Sequence, residues 1–162
     1  MRRTRALLLG AALSLTSLAV APSALADGNG TLSVRNSPAG ATDAIQTFRN
    51  QATGRCMDDT TNGGFRTWSC NGSGPQKWNV HVWNDGTRQL RNINTGRCIE
   101  DTDNGLRTVI CNSSPEQSWW IKVWNDGTVR FQGQVTGRCL EDSDGSGFRT
   151  WACDSSPNQS WS

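Results

Sequence analysis

One sequence cassette occurs three times in this 162-residue chain and constrains its fold more than any other feature. Each copy runs from Thr-Gly-Arg-Cys, through an acid followed by Asp and then an Arg-Thr pair, to a second cysteine and a Gln-x-Trp element. The copies begin at Thr53, Thr95 and Thr136, with spacings of 42 and 41 residues. Since a fixed period on the order of 40 residues is typical of repeat architectures, the cassette predicts three equivalent structural units.

Residues 1–26 have the features of a secretory signal peptide. A basic start with Arg2, Arg3 and Arg5 precedes an apolar stretch, and Ala24-Leu25-Ala26 is a small-x-small cleavage sequence. We therefore expect cleavage before Asp27 and a secreted, extracellular protein with no membrane span.

The charge of the mature chain argues against two classes of partner. Cleavage would reduce the 16 basic residues to 13, against 14 acidic residues. This near-neutral balance predicts neither a nucleic-acid partner nor an anionic membrane surface.

The mature chain reads as one all-β domain of three repeats, which we expect to be a monomer. Many glycines and short runs of alternating apolar residues favour strands and turns over helices. We place an N-terminal arm at residues 27–44 and the domain at residues 45–162. The predicted repeats are 45–86, 87–127 and 128–162.

Each repeat is predicted to contain about four strands, which in the first repeat cover residues 45–49, 55–58, 65–70 and 77–83. The fourth strand alternates, with Trp78, Val80 and Val82 on one face. It ends in Trp-Asn-Asp-Gly-Thr, and Asp-Gly between alternating runs indicates a hairpin into the next repeat. The third repeat lacks this continuation, and we expect Leu32 and Val34 in the arm to supply the missing strand.

Six cysteines occur as two per repeat. Their spacing is nearly equal in the three copies, so we predict one disulfide within each repeat, and export would provide the oxidising environment. Closing a loop of this size stabilises a fold by about 3 kcal/mol in the chain-entropy estimate. The predicted pairs are Cys56 with Cys70, Cys98 with Cys111, and Cys139 with Cys153.

Three Gln-x-Trp repeats in register with Gly-Arg-Cys-apolar-acid and a later cysteine resemble the ricin-type β-trefoil lectin family. The resemblance covers residues 45–162. It implies a β-trefoil, a six-stranded barrel capped by three hairpins, and secreted binding of galactose-type or xylan-type sugars. It further implies a carbohydrate ligand, no cofactor, no metal and no catalytic activity.

The resemblance also implies which residues bind sugar. An acid two residues after the first cysteine accepts hydrogen bonds from hydroxyl groups, and an aromatic residue two before the second cysteine stacks on the sugar ring. The third repeat matches best, with Glu141, Trp151, Asn158 and Gln159. The first follows with Asp58 and Trp68, whereas the second has Val109 in the aromatic position.

Several alternatives remain open at this point. The segment between the acid and the aromatic residue is shorter than in typical family members, so a protein-binding or inhibitory trefoil is the second hypothesis. The recurring Asp59/Arg66, Asp101/Arg107 and Asp142/Arg149 pairs are interpreted as salt bridges rather than ligand contacts. The acidic turns after Asp101 and Asp142 resemble the start of a calcium loop but lack its closing Glu, so we favour ordinary turns.

Overall fold

The computed structural model describes residues 43–162. The predicted signal peptide, most of the predicted arm and the proposed Leu32–Val34 strand lie outside these residues. None of the helices in the described part is long and apolar enough to cross a membrane.

Residues 43–162 form eleven strands and three short 3-10 helices. The strands are β1 Ala44–Gln46, β2 Arg55–Thr60, β3 Gly64–Ser69, β4 Trp78–Val82, β5 Arg88–Asn92, β6 Arg97–Thr102, β7 Gly105–Ile110, β8 Trp119–Val123, β9 Val129–Gly133, β10 Cys139–Ser143 and β11 Gly147–Trp151. The 3-10 helices are Gly74–Gln76, Pro115–Gln117 and Pro157–Gln159, each at a Gln-x-Trp element.

The barrel is built from antiparallel pairs that continue from one repeat into the next. β1 pairs with β4, and hairpins join β4 to β5 and β8 to β9, as the two Trp-Asn-Asp-Gly-Thr sequences predict. Asp85 accepts hydrogen bonds from the backbone and hydroxyl of Thr87 in the first of these turns, and these bonds lower the pKa of Asp85.

Trp161 closes the barrel where the third repeat lacks a full fourth strand. It bridges Val129 on one side and Asn50 on the other, and Arg49 pairs with Ser162 through backbone hydrogen bonds of 2.8 and 2.9 Å. The first strand is therefore divided, because Gln46 pairs with Trp78 of its own repeat whereas Asn50 pairs with Trp161. This division explains why β1 ends at Gln46 instead of reaching Arg49 as predicted.

Three hairpins, β2–β3, β6–β7 and β10–β11, complete the β-trefoil. Each is in continuous register, closed by a tight turn that ends at a glycine with positive φ: 68° at Gly64, 101° at Gly105 and 71° at Gly147. The short segment between acid and aromatic residue is thus a regular hairpin.

The three disulfides have the predicted pairing. Cys56–Cys70, Cys98–Cys111 and Cys139–Cys153 each cross-link one hairpin. Each bridge fixes the hairpin at the end that joins the barrel.

The core repeats the same contacts three times. Trp78, Trp119 and Trp161 are fully buried, as the alternation of the fourth strand predicts. Each indole donates a hydrogen bond to a backbone carbonyl of its own hairpin, those of Met57, Ile99 and Leu140, over 3.2–3.3 Å. The buried indole N–H groups are therefore satisfied within their own repeats.

A ring of buried aspartates joins each repeat to the next. Asp59 is fully buried and accepts hydrogen bonds from Thr95, Arg97 and Thr108, all in the second repeat. Asp101 receives the equivalent groups of the third repeat, Thr136, Arg138 and Thr150. Asp142 receives those of the first, Thr53, Arg55 and Thr67, and so closes the ring.

This ring corrects one prediction. The Asp59/Arg66, Asp101/Arg107 and Asp142/Arg149 salt bridges do not form, because Asp59 lies opposite Phe65 in the hairpin register and Arg66 lies opposite Asp58. Neighbouring residues on a strand point to opposite faces. Each Asp therefore turns towards the next repeat, whereas each Arg pairs with the preceding acid on the outer face.

Replacing a ring aspartate should strongly destabilise the domain. Asp142→Ala removes the shared acceptor of Thr53, Arg55 and Thr67, and the loss of these hydrogen bonds to a charged group should together cost roughly 3 kcal/mol or more. Asp144 contacts the same arginine, but its side chain is 86% exposed, so Asp144→Ala should leave stability nearly unchanged. Urea unfolding of both variants measures the difference, and equal midpoints would contradict the role of the ring.

Candidate functional site

The residues predicted to bind sugar lie on the outer faces of the first and third hairpins. Asp58 is directly opposite Arg66, and Cys56 is directly opposite Trp68. In the third repeat Glu141 is opposite Arg149, and Cys139 is opposite Trp151. Residues two apart on a strand share a face, so acid, arginine and tryptophan form one outward cluster on each hairpin.

The acids are nearly buried and already hold protein partners. Asp58 is 2% exposed and Glu141 is 6% exposed. Arg66 Nε donates to Asp58 Oδ1 over 3.2 Å, whereas Arg149 donates to Glu141 Oε1 through both Nε and Nη2, at 3.1 and 2.9 Å. The longer Glu side chain thus gives the third repeat two hydrogen bonds where the first has one.

Glutamines of the Gln-x-Trp elements hold the acids from the inner side. Gln159 is 1% exposed, and its Nε2 donates to Glu141 Oε2 over 3.1 Å and to the Ala152 carbonyl over 2.8 Å. Gln76 makes the same pair of contacts, to Asp58 and to the Ser69 carbonyl. Gln159, which the family resemblance places among the sugar-binding residues, therefore positions Glu141 from inside the fold.

The two tryptophans are half exposed and stack with the arginines. Trp68 is 51% exposed and Trp151 is 53% exposed, as the strand alternation predicts. The Cζ of Arg66 lies 4.3 Å from the ring centroid of Trp68, and that of Arg149 lies 4.1 Å from Trp151. These are cation–π distances, so each guanidinium group lies between a buried carboxylate and an exposed indole.

We call this arrangement the Arg–Trp stack: Asp58, Arg66 and Trp68 in the first repeat, and Glu141, Arg149 and Trp151 in the third. The disulfides hold both stacks in place, since each tryptophan lies directly opposite the first cysteine of its repeat's bridge: Trp68 opposite Cys56, and Trp151 opposite Cys139. The exposed aromatic surface is therefore mounted on a hairpin that is fixed at its base.

The second repeat has the same ion pair without the aromatic residue. Arg107 donates to Glu100 over 2.9 and 2.7 Å, but Val109 takes the place of tryptophan. Glu116 is the counterpart of Asn158, and a hydrogen bond from Ser114 lowers its pKa. This hairpin therefore presents charge without an aromatic surface.

Asn158 lies in the 3-10 helix Pro157–Gln159, next in sequence to the glutamine that holds Glu141. Its backbone carbonyl accepts a hydrogen bond of 2.7 Å from Asn50, which ties the third repeat to the first. Its half-buried side chain makes no hydrogen bond to residues 43–162.

Sequence reasoning did not assign Arg66 and Arg149 to the site. The sequence does contain a signal for these residues. An arginine two positions before the tryptophan lies on the same face of a strand. The hairpin register also places each arginine opposite the acid that the family resemblance selects. The sequence analysis instead pairs Arg66 with Asp59 and Arg149 with Asp142, the aspartates that follow the two site acids.

Two clefts lie between barrel strands, away from the stacks. One, of about 480 Å³, is lined in part by His81, Trp83 and Ile110, and its His81 Nδ1 lies 2.8 Å from Asp43 Oδ1. The other, of about 590 Å³, surrounds Trp124. Among residues 43–162, no group of three His, Cys, Asp or Glu side chains is arranged to hold a metal ion.

Comparison with known proteins identifies the class. The model of the ricin-type beta-trefoil lectin domain family matches residues 44–161, which is most of the chain. The protein therefore belongs to this family. Membership implies carbohydrate binding, and the family is typically carbohydrate-binding rather than catalytic. A search of curated proteins finds no match.

Solved structures agree on the fold. The designed threefold-symmetric protein ThreeFoil is similar with a TM-score of 0.65 at 16% identity, over 72% of this chain and 95% of that one. An exo-beta-1,3-galactanase from Clostridium thermocellum has a TM-score of 0.65 at 20% identity, over 75% of this chain and 30% of the galactanase. The hemolytic lectin CEL-III has a TM-score of 0.61 at 21% identity, over 72% of this chain and 29% of the lectin.

The exposed tryptophan should be replaceable without loss of the fold. Trp151→Ala removes a half-exposed ring and should change the melting temperature little, whereas Trp161→Ala removes a fully buried ring and should cost about 3–5 kcal/mol. Thermal unfolding followed by circular dichroism compares the two variants. A comparable loss of stability in Trp151→Ala would mean that Trp151 has a packing role.

Proposed function

We propose that this chain is a secreted, non-catalytic carbohydrate-binding protein for galactose-type or xylan-type sugars, with binding sites at Trp151 in the third repeat and Trp68 in the first. Glu141 and Asn158 complete the first of these sites, where Gln159 holds Glu141 from inside the fold, and Asp58 completes the second. The carbohydrate is the partner, and the protein acts as a monomer.

The exposed Trp151 ring carries the proposal. A half-exposed indole on a cross-linked hairpin is a surface on which the C–H face of a sugar ring packs favourably. The ring occupies the position that the family resemblance gives to the stacking residue. The free amide of Asn158 adds a donor and an acceptor nearby, which suits hydroxyl groups.

Two observations support secretion and the absence of catalysis. Three disulfides in one small domain suit an oxidising compartment. The carboxylates of Asp58, Glu100 and Glu141 lie on separate hairpins and each pairs with its own arginine, whereas glycoside hydrolysis uses two convergent carboxyl groups roughly 5–10 Å apart.

A protein-binding role is the second candidate, and one observation favours it. Each acid of the two sites already accepts hydrogen bonds from an arginine and a glutamine, so less of it remains for sugar hydroxyl groups. An exposed tryptophan beside an arginine is also a common anchor at protein interfaces. In that case soluble sugars would not compete with the partner.

Sugar binding should depend on both tryptophans. A screen of galactans and xylans by affinity electrophoresis should show retention of the full chain. Trp151→Ala should weaken binding about thirtyfold, because ring burial and stacking each contribute roughly 1 kcal/mol. Trp68→Ala should have a smaller effect, and Val109→Ala, at the equivalent position of the second repeat, should have none.

Two results of this screen would contradict the proposal. Retention by no polysaccharide would favour the protein-binding role. Equal retention of wild type and a Trp68→Ala/Trp151→Ala double variant would place the binding surface elsewhere on the domain.

A further inference from the structure

The Arg–Trp stacks present hydrogen-bond donors where an acid alone would present acceptors. The carboxylates lie behind the arginines, with side-chain exposures of 3% for Asp58 and 8% for Glu141. The arginine side chains are 38% and 35% exposed. A ligand that approaches the tryptophan from solvent therefore meets guanidinium N–H groups before it meets a carboxylate.

Part of each guanidinium group is free to bind. Arg66 uses only Nε towards Asp58, so its Nη1 and Nη2 meet no acceptor among residues 43–162. Arg149 uses Nε and Nη2 towards Glu141, which leaves Nη1 without an acceptor in the same part of the chain. Guanidinium has donors only, so a ligand must bring acceptors to replace the solvent at these exposed groups.

We infer that the stacks recognise acidic sugars, in which a carboxylate or sulfate on the ring accepts hydrogen bonds from Arg66 or Arg149 while the ring contacts Trp68 or Trp151. The inference rests on the proposed carbohydrate-binding function and adds that the bound sugar carries a negative charge. Arg66 and Arg149 are then residues that determine specificity.

Three features of the stack suit an acidic ligand. The planar guanidinium fork matches the geometry of a carboxylate or sulfate, and charge-assisted hydrogen bonds are about twice as strong as neutral ones. The buried acid and the indole hold the fork in position before a ligand arrives, so little side-chain entropy is lost on binding. A neutral sugar hydroxyl accepts hydrogen bonds from the same donors but adds no charge–charge attraction, which only an acidic group supplies.

The chain contains its own matched control in the second repeat. Arg107 pairs with Glu100 at distances similar to those in the third repeat, and its side chain is 50% exposed, yet Val109 provides no aromatic surface. If charge alone determined binding, Arg107 would serve as well as Arg149. If the stack is required, only the first and third repeats bind.

The test compares acidic polysaccharides with uncharged counterparts on the full chain, exported so that its disulfides form. Polygalacturonate and sulfated galactan are compared with neutral galactan, and glucuronoxylan with unsubstituted xylan. We expect at least tenfold tighter binding of the acidic member of each comparison. The two galactose-type acidic probes distinguish carboxylate from sulfate recognition.

Arginine variants test the residues. Arg66→Gln/Arg149→Gln should reduce the preference for acidic polymers at least tenfold, so that acidic and neutral polymers bind with similar affinities. The control Arg91→Gln/Arg107→Gln removes the same total charge at positions without a stack and should retain the preference. Melting curves establish that both variants are folded.

A gain of binding gives an independent measurement that does not depend on the stability of the arginine variants. Val109→Trp would place an indole beside Arg107 and complete a third stack. Calorimetry with a short galacturonate oligosaccharide should then show one more binding site per chain than in the wild type.

The outcomes separate the two proposals. Equal affinity for acidic and neutral polymers, or an acidic preference that persists in Arg66→Gln/Arg149→Gln, would overturn the inference and leave the proposed function standing. Failure of Val109→Trp to add a site, with the variant folded, would also count against the stack. Binding to none of the polymers would overturn the carbohydrate-binding function itself.

Discussion

The ring of buried aspartates is the interaction on which the rest of the structure depends. A charge without solvent requires several donors, and Asp59, Asp101 and Asp142 each obtain them from one arginine and two threonines of the next repeat. Because Asp142 of the third repeat returns to Arg55 of the first, every repeat shares an ion pair with each of its two neighbours. In Arg55 itself, the hydrogen bond to Asp142 raises the pKa of the guanidinium.

The ring also determines what the outer face can do. Adjacent acids on one strand point in opposite directions. The second acid, such as Asp59, therefore joins neighbouring repeats, whereas the first, such as Asp58, faces the outer side of its hairpin. There it pairs with the arginine directly opposite. The arginine is held between an ion pair and an aromatic ring, and the disulfide fixes the base of the same hairpin. Core, repeat interface and binding surface are thus built from consecutive residues of one cassette.

The three repeats have equivalent backbones, but the outer faces of their hairpins differ. Trp68 and Trp151 complete the stack in two repeats, and Val109 leaves the second with an ion pair alone. The substitution has little structural consequence, because this position points outward and the core contacts of the second repeat match those of the others. Variation on an exposed face is compatible with the fold in a way that variation at Asp101 or Trp119 would not be.

The sequence by itself determined the trefoil, the pairing of the cysteines, the buried Gln-x-Trp tryptophans and the exposed position of Trp151. The cysteine pairing follows from threefold repetition, which places equivalent residues in equivalent surroundings, and the buried tryptophans follow from the alternation of the fourth strand. The trefoil and the exposed stacking position of Trp151 follow from the resemblance of the cassette to a known family. The partner of each arginine was decided only by the tertiary structure. In the sequence, Asp58 and Asp59 are both close enough to Arg66 to be its partner. The strand register places Arg66 opposite Asp58, and Arg97 from the next repeat occupies Asp59. The closure of the barrel by Trp161 is equally non-local, because it joins chain segments more than 100 residues apart, as does the hydrogen bond from Asn50 to the carbonyl of Asn158.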